Sequence, residues 1–82
     1  MITLINLVKS GSIVKTNYFS ETNDNDKGYI EYDIGQKKVI NCSYSLEDSK
    51  SSIKLSFNKA IQAIERLVEY NKFPKKYRYL WY

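Results

Sequence analysis

The last eight residues, KKYRYLWY, hold the side chains best suited by type and spacing to binding. Lysine and arginine neutralise phosphates, and flat aromatic rings stack on bases, so this composition matches what a single-stranded nucleic acid requires. The same alternation of rings with other side chains also fits a fifth strand, or an extended segment whose rings cover the core. The candidate partner- or nucleic-acid-binding residues are Lys75, Lys76, Tyr77, Arg78, Tyr79, Trp81 and Tyr82.

The net charge of the chain lies at the same end. Lys and Arg number 13 and Asp and Glu nine, which gives a formal charge of +4. Residues 72–82 hold the whole of that excess, since they contain cations and no carboxylate, and residues 1–71 are balanced. A charge of this size neutralises only a few phosphates. Packing in the protein and contact with a protein partner are therefore favoured over nucleic acid.

Catalytic chemistry has few candidates in this sequence. The chain has no histidine, which excludes Ser-His and Cys-His catalysis and histidine-bearing zinc sites. Cys42 alternates with Ile40 and Tyr44 on a predicted inner face and is interpreted as a core residue. Glu65 and Glu69 are one helical turn apart, a spacing typical of a solvated helix surface. We predict a protein that is not an enzyme and has no cofactor, metal site or small-molecule substrate.

The acidic stretch SETNDNDKG, residues 20–28, invites comparison with a calcium loop. If Gly28 is set as the invariant glycine of an EF-hand, Lys27 takes the fifth position and Ile34 the twelfth, where a glutamate belongs. Neither residue is a ligand. We therefore predict a polar connection between two strands.

Four segments have the composition of β-strands: residues 2–9, 12–19, 29–34 and 37–44. Ser10-Gly11 and Gly35-Gln36 predict two-residue hairpin turns, the second of type II′. Strict alternation in the first strand sorts its apolar residues into two faces, with Ile2, Leu4 and Val8 on one and Ile5 and Leu7 on the other.

A single apolar stripe with helical spacing follows these strands. Possible N-caps are Ser49, Ser51 and Ser52, Asn71 can form a left-handed C-terminal cap, and Pro74 prevents continuation. The stripe consists of Ile53, Phe57, Ala60, Ile61, Ile64, Leu67 and Val68.

These elements predict one α+β domain over residues 1–82. The expected fold is a four-stranded antiparallel sheet in β-β-β-β-α order, with one amphipathic helix packed on one face and an extended aromatic C-terminal tail. A single cysteine, no recognisable signal peptide and no apolar run of about 20 residues favour a cytoplasmic location.

This layout, with NLVKSG at 6–11, KGYIEYDI at 27–34, the helix and the final LWY, resembles that of small uncharacterised bacterial proteins of similar length. That resemblance implies no function. The element order alone is similar to the single-strand-binding domain of a transcriptional coactivator family, which dimerises through its helix and binds on its sheet. No residue motif accompanies this second similarity.

The eight tyrosines and the absence of catalytic motifs favour a protein-interaction module. Its partner would be another protein or a second copy, meeting the sheet or the aromatic tail, and a homodimer would bury both faces of the first strand. The alternative is single-stranded nucleic-acid binding through the basic aromatic tail.

Overall fold

The protein has an α+β fold in the computed structural model, which describes residues 1–20 and 24–80. Within them, five strands form one antiparallel sheet in the order β4-β3-β2-β1-β5. The strands are β1 (Ile2–Ser10), β2 (Ile13–Ser20), β3 (Gly28–Asp33), β4 (Lys38–Ser43) and β5 (Lys76–Tyr79), and the helices are α1 (Leu46–Ser49) and α2 (Leu55–Tyr70).

The sheet has one strand more than the four predicted, because part of the predicted tail forms the strand β5. β5 pairs antiparallel with β1, with Tyr79 opposite Ile2 and Tyr77 opposite Leu4. A strand beside β1 satisfies backbone groups that would otherwise face solvent at a sheet edge. Residues Trp81 and Tyr82 of the predicted tail lie outside the described residues.

A β-bulge in β1 changes which of its side chains face the core. Asn6 has a left-handed conformation with φ of 54°, and the pairing with β2 shifts between Ile5 and Val8. One extra residue reverses the alternation beyond it. Leu7 is consequently buried with the N-terminal half of the strand, whereas Val8 is 56% exposed. The predicted two-face division was wrong for these two residues.

Both hairpin turns differ from the predicted ones. The first turn is Gly11-Ser12, one residue later than expected, with Gly11 at a φ of 60°. The second spans residues 34–37. There Lys37 takes the left-handed conformation and the Asp33 carboxylate accepts the Gln36 N–H at 3.1 Å. Gly35 does not have the positive φ that a type II′ turn needs at this position, so that prediction was wrong.

A second bulge alters the predicted inner face of β4. The register shifts between Glu31 and Tyr32, so Val39 lies opposite the buried Tyr32 and Ile40 is 46% exposed. Cys42 pairs with Ile30 on the core side, the face predicted for it, but it is only half-buried and is not part of the core. The prediction that Ile40 shares the inner face with Cys42 was wrong, because the extra residue in β4 interrupts the alternation of side chains at Ile40.

The main helix begins two residues after the predicted stripe. Lys54 precedes α2 in the left-handed conformation without a side-chain cap, and Ile53 is 71% exposed. From Phe57 to Val68 the apolar stripe faces the sheet as predicted. Asn71 forms the predicted left-handed cap at φ 55°.

The core lies between α2 and one face of the sheet. It contains Ile2, Leu4, Leu7, Val14, Tyr18, Ile30, Tyr32, Ala60, Ala63, Ile64 and Leu67. No helix in the described ranges is long and apolar enough to cross a bilayer.

Candidate binding face

The second face of the sheet points away from α2, and no other described element covers it. We call it the outer face. Strand pairing arranges its side chains in rows that run across the strands. Arg78, Thr3 and Phe19 form the first row, Lys76, Ile5, Asn17, Tyr29 and Ser43 the second, and Val8, Lys15, Glu31 and Asn41 the third.

The alternation of β5 separates the cations of the tail from its described rings. Tyr77 and Tyr79 are half-buried and pack against the core on the α2 side. Lys76 and Arg78 are exposed on the outer face. Lys75 precedes the strand and is exposed, and its carbonyl accepts the Leu7 N–H at 3.2 Å. The five predicted binding residues that the structure describes therefore do not form one strip.

The rings beside these cations come from elsewhere in the chain. Phe19 on β2 and Tyr29 on β3 are half-buried on the outer face. The Lys27 ammonium lies 5.5 Å from the centre of the Phe19 ring. The Tyr29 hydroxyl donates a hydrogen bond of 2.7 Å to Glu31, which raises the pKa of Tyr29. Neither ring was among the predicted site residues.

A cleft of about 220 Å³ opens at the first row of the outer face. Thr3 is only 3% exposed and forms its floor between the flanking strands. The cleft is lined by Met1, Thr3, Phe19, Asp24, Lys76 and Arg78. Of the described side chains, it thus brings together two cations, a ring, a hydroxyl and a carboxylate.

The charge of the outer face is predominantly positive around this cleft. Lys76 and Arg78 belong to β5, and Lys27 adds a cation beside Phe19. Lys15 lies directly opposite Glu31, so the carboxylate there has a cationic neighbour on the next strand. Among the described residues, Asp24 is the carboxylate that lines the cleft itself. Cations in this arrangement can neutralise phosphates along a strand laid across the sheet.

The acidic stretch between β2 and β3 contributes to folding through Asp26. Its carboxylate accepts the backbone N–H groups of Leu46 and Glu47 at 2.7 and 2.9 Å, at the start of α1. Carboxylates are favourable at helix N-termini because they satisfy free amides there. The stretch connects two strands, as predicted.

The glutamate pair of α2 lies away from the outer face. Glu65 and Glu69 line a depression of about 280 Å³ together with Tyr32, Lys37 and Val68. Burial raises the pKa of the Tyr32 hydroxyl, with a further contribution from Glu65. In the part of the chain that the structure describes, no group of three histidine, cysteine or acidic side chains is arranged to hold a metal ion.

Large aliphatic side chains are exposed where the two helices meet. Leu46, Ile53 and Leu55 are 69%, 71% and 53% exposed. We call these three residues the apolar segment. Sequence reasoning placed Ile53 in the core and did not single out the other two.

The chain matches no protein-family model, and it matches no curated protein and no solved structure. This is consistent with the resemblance drawn from the sequence, from which no function follows. The comparison with the coactivator domain is weakened by the fifth strand, which extends the sheet beyond the expected β-β-β-β-α order.

Proposed function

We propose that this protein is a non-enzymatic module that binds single-stranded nucleic acid across its outer face. The observation that supports this function is the presence of two rings and four cations on a sheet face that no described element covers. The residues are Phe19, Tyr29, Lys15, Lys27, Lys76 and Arg78. Lys76 and Arg78 are retained from the predicted tail site, whereas the half-buried Tyr77 and Tyr79 have a packing role.

The position of the two rings favours a single strand over a duplex. Phe19 and Tyr29 are diagonal neighbours on adjacent strands, because Tyr29 pairs with Asn17. Such neighbours are roughly 7–8 Å apart, close enough to stack consecutive unpaired bases. Bases in a duplex are already stacked on one another and cannot lie flat on a protein ring.

The test is binding of a labelled 12-nucleotide single strand, measured by fluorescence anisotropy. The variant Lys76→Gln/Arg78→Gln removes two cations from the outer face, and we expect roughly 10- to 30-fold weaker binding near ~100 mM salt. The matched control is Lys50→Gln/Lys72→Gln, which removes the same charge from exposed positions outside the strands. An equal loss of affinity in both variants would mean that only the net charge of the protein matters, and not the position of Lys76 and Arg78. If the native protein does not bind the strand at ~50 mM salt, the proposal is overturned.

The aromatic contribution is tested separately. Replacing Phe19 or Tyr29 by Leu keeps an apolar side chain and removes a stacking surface worth about 1–3 kcal/mol per base. Tyr70→Leu is the control, since Tyr70 is a 55% exposed ring on α2. Weaker binding in the first two variants and unchanged binding in the third is the expected pattern.

Self-association is a second candidate function, and the apolar segment is the observation that favours it. Three exposed aliphatic side chains within ten residues are the type of surface that a second copy can cover. β1 gives less support than the sequence indicated, because it lies between β2 and β5 and one of its faces packs under α2.

Sedimentation equilibrium tests this second candidate between 1 and 100 µM, a range chosen to span typical weak dimers. A dimer that dissociates in the Ile53→Lys/Leu55→Lys variant would support it. A monomeric mass across the whole range would exclude it.

A further inference from the structure

We infer that the cleft at the first row of the outer face holds a single base and prefers guanine. This inference rests on the proposed function and adds a base preference to it. It is carried by the position of Asp24 in a cleft whose other polar side chains are suited to a phosphate group.

The size of the cleft limits it to a small group such as a single base. Its volume of about 220 Å³ is below the range of roughly 300–1,000 Å³ that is usual for pockets of drug-sized ligands. The Phe19 ring forms one wall, and Lys76 and Arg78 are contributed by the edge strand β5. A base stacked on Phe19 would therefore leave its phosphate near two cations.

Asp24 makes the cleft selective because of its hydrogen-bonding chemistry. An ionised carboxylate only accepts hydrogen bonds, and its two oxygens suit a pair of adjacent parallel donors. Guanine presents such a pair in its N1–H and exocyclic N2 amino groups. Cytosine and adenine offer an amino group without an adjacent N–H donor, and thymine or uracil offers one N–H between two carbonyl oxygens, which the carboxylate repels.

The local structure holds Asp24 next to the stacking ring. The Lys27 ammonium donates a 2.8 Å hydrogen bond to the Asp24 carbonyl, and the same ammonium lies 5.5 Å from the centre of the Phe19 ring. Lys27 thus links the backbone of Asp24 to the ring on which the base would stack. Because Lys27 is exposed, its ammonium can leave the ring face when a base enters and keep its hydrogen bond to the Asp24 carbonyl.

The test compares four 12-nucleotide thymidine strands that differ in one central nucleotide: guanine, inosine, cytosine or thymine. Each is titrated by fluorescence anisotropy at one salt concentration, so that the phosphate contribution is constant. We expect the guanine strand to bind about five- to tenfold more tightly than the thymine strand, the lower part of the range for a bidentate base contact. Inosine lacks the N2 amino group and should lose most of this advantage.

Asp24→Asn is the decisive variant, because an amide replaces one acceptor oxygen with a donor. It should remove the guanine preference, and it should tighten binding of the thymine strand slightly because it removes a negative charge beside Lys76 and Arg78. Asp33→Asn is the control. Asp33 also lies on the outer face, but at the end of β3 that is farther along the chain from Asp24. We expect the same ranking on a uridine host, because DNA and RNA carry the same base edges.

The outcomes separate this inference from the proposed function. If all four strands bind equally and Asp24→Asn changes nothing, the guanine preference is wrong while single-strand binding stands. If none of the strands binds, the proposed function fails and the base preference fails with it.

Discussion

At the scale of single residues, the carboxylate of Asp48 ties the sheet to both helices. It is 2% exposed, and its Oδ2 accepts the Tyr18 hydroxyl and the Phe57 N–H, both at 2.8 Å. The Tyr18 oxygen in turn accepts the Ser45 N–H at 3.2 Å, and the Ser45 hydroxyl accepts the Asp48 N–H. This carboxylate takes the place of the serine N-caps that the sequence suggested for α2.

Removing this carboxylate should cost more than removing an exposed one. Asp48→Ala leaves the Tyr18 hydroxyl and the Phe57 N–H without their acceptor, at about 1–3 kcal/mol for a buried unsatisfied group. We expect the free energy of unfolding in urea to fall by roughly 2–4 kcal/mol. Glu47→Ala, an exposed neighbour on the same helix, should stay within ~0.5 kcal/mol. Equal effects in the two variants would contradict the role of Asp48.

The same contact predicts a pH dependence on the alkaline side. Burial raises the pKa of the Tyr18 hydroxyl above its ordinary value of 10.0, and the hydrogen bond to Asp48 raises it further, partly offset by the Ser45 N–H. The folded state therefore holds the proton more tightly than the unfolded state. The stability from this group is complete below about pH 10 and is lost above it, by up to ~1.4 kcal/mol per pH unit.

Urea unfolding of the native protein and Tyr18→Phe at pH 9 to 11, the interval around the ordinary tyrosine pKa, measures this effect. The other tyrosines and the lysines are common to both proteins, so the difference isolates Tyr18. The free energy of unfolding of the native protein, relative to that of the variant, should decrease as pH rises. A constant difference would mean that the hydroxyl titrates alike in both states.

At the scale of elements, the close contact of β2 with β3 makes Gly28 necessary at the start of β3. Gly28 pairs with Tyr18, and a Cβ at this position would overlap the Tyr18 ring. Gly28→Ala should destabilise the protein by about 1–3 kcal/mol through overpacking, measured by urea unfolding. Gly35→Ala, whose Cβ would meet only the Asp33 carboxylate at 3.3 Å, should have a smaller effect. A larger loss at Gly35 would contradict this account.

Periodicity in the sequence predicted the elements well and their irregularities poorly. The helical stripe from Phe57 to Val68 and the Asn71 cap were readable because each depends on residues close in sequence. The bulge at Asn6 depends on pairing with β2, so strict alternation assigned Leu7 and Val8 to the wrong faces. A bulge that is set by a partner strand has no reliable signal in the strand itself.

The candidate site was only half predictable for a related reason. The tail was recognised because its cations and rings are adjacent in sequence. Alternation in β5 sends Tyr77 and Tyr79 to the core, while Lys76 and Arg78 join rings from β2 and β3. That association requires the strand order β3-β2-β1-β5, which local sequence does not specify.

At the scale of the whole molecule, a single main helix makes the two faces of the sheet unequal. α2 covers the face with the apolar core, and the outer face keeps the cations Lys15, Lys27, Lys76 and Arg78. The chain carries a net charge of +4, and the carboxylates Asp24, Glu31 and Asp33 share the outer face with these cations. This asymmetry gives a quantitative expectation for salt.

Binding of a single strand to the outer face should weaken with salt in proportion to the number of phosphates bound. Four cations, Lys15, Lys27, Lys76 and Arg78, predict a slope of log K against log salt of about −2.8, from ~0.7 per phosphate of a single strand. Lys76→Gln/Arg78→Gln should halve the slope to about −1.4, whereas Lys50→Gln/Lys72→Gln should leave it unchanged. Anisotropy titrations between 50 and 200 mM salt, a range in which counterion release dominates, measure all three slopes. A slope that is the same in all three proteins would mean that β5 does not bind phosphates, because a strand held by two cations instead of four must release fewer counterions.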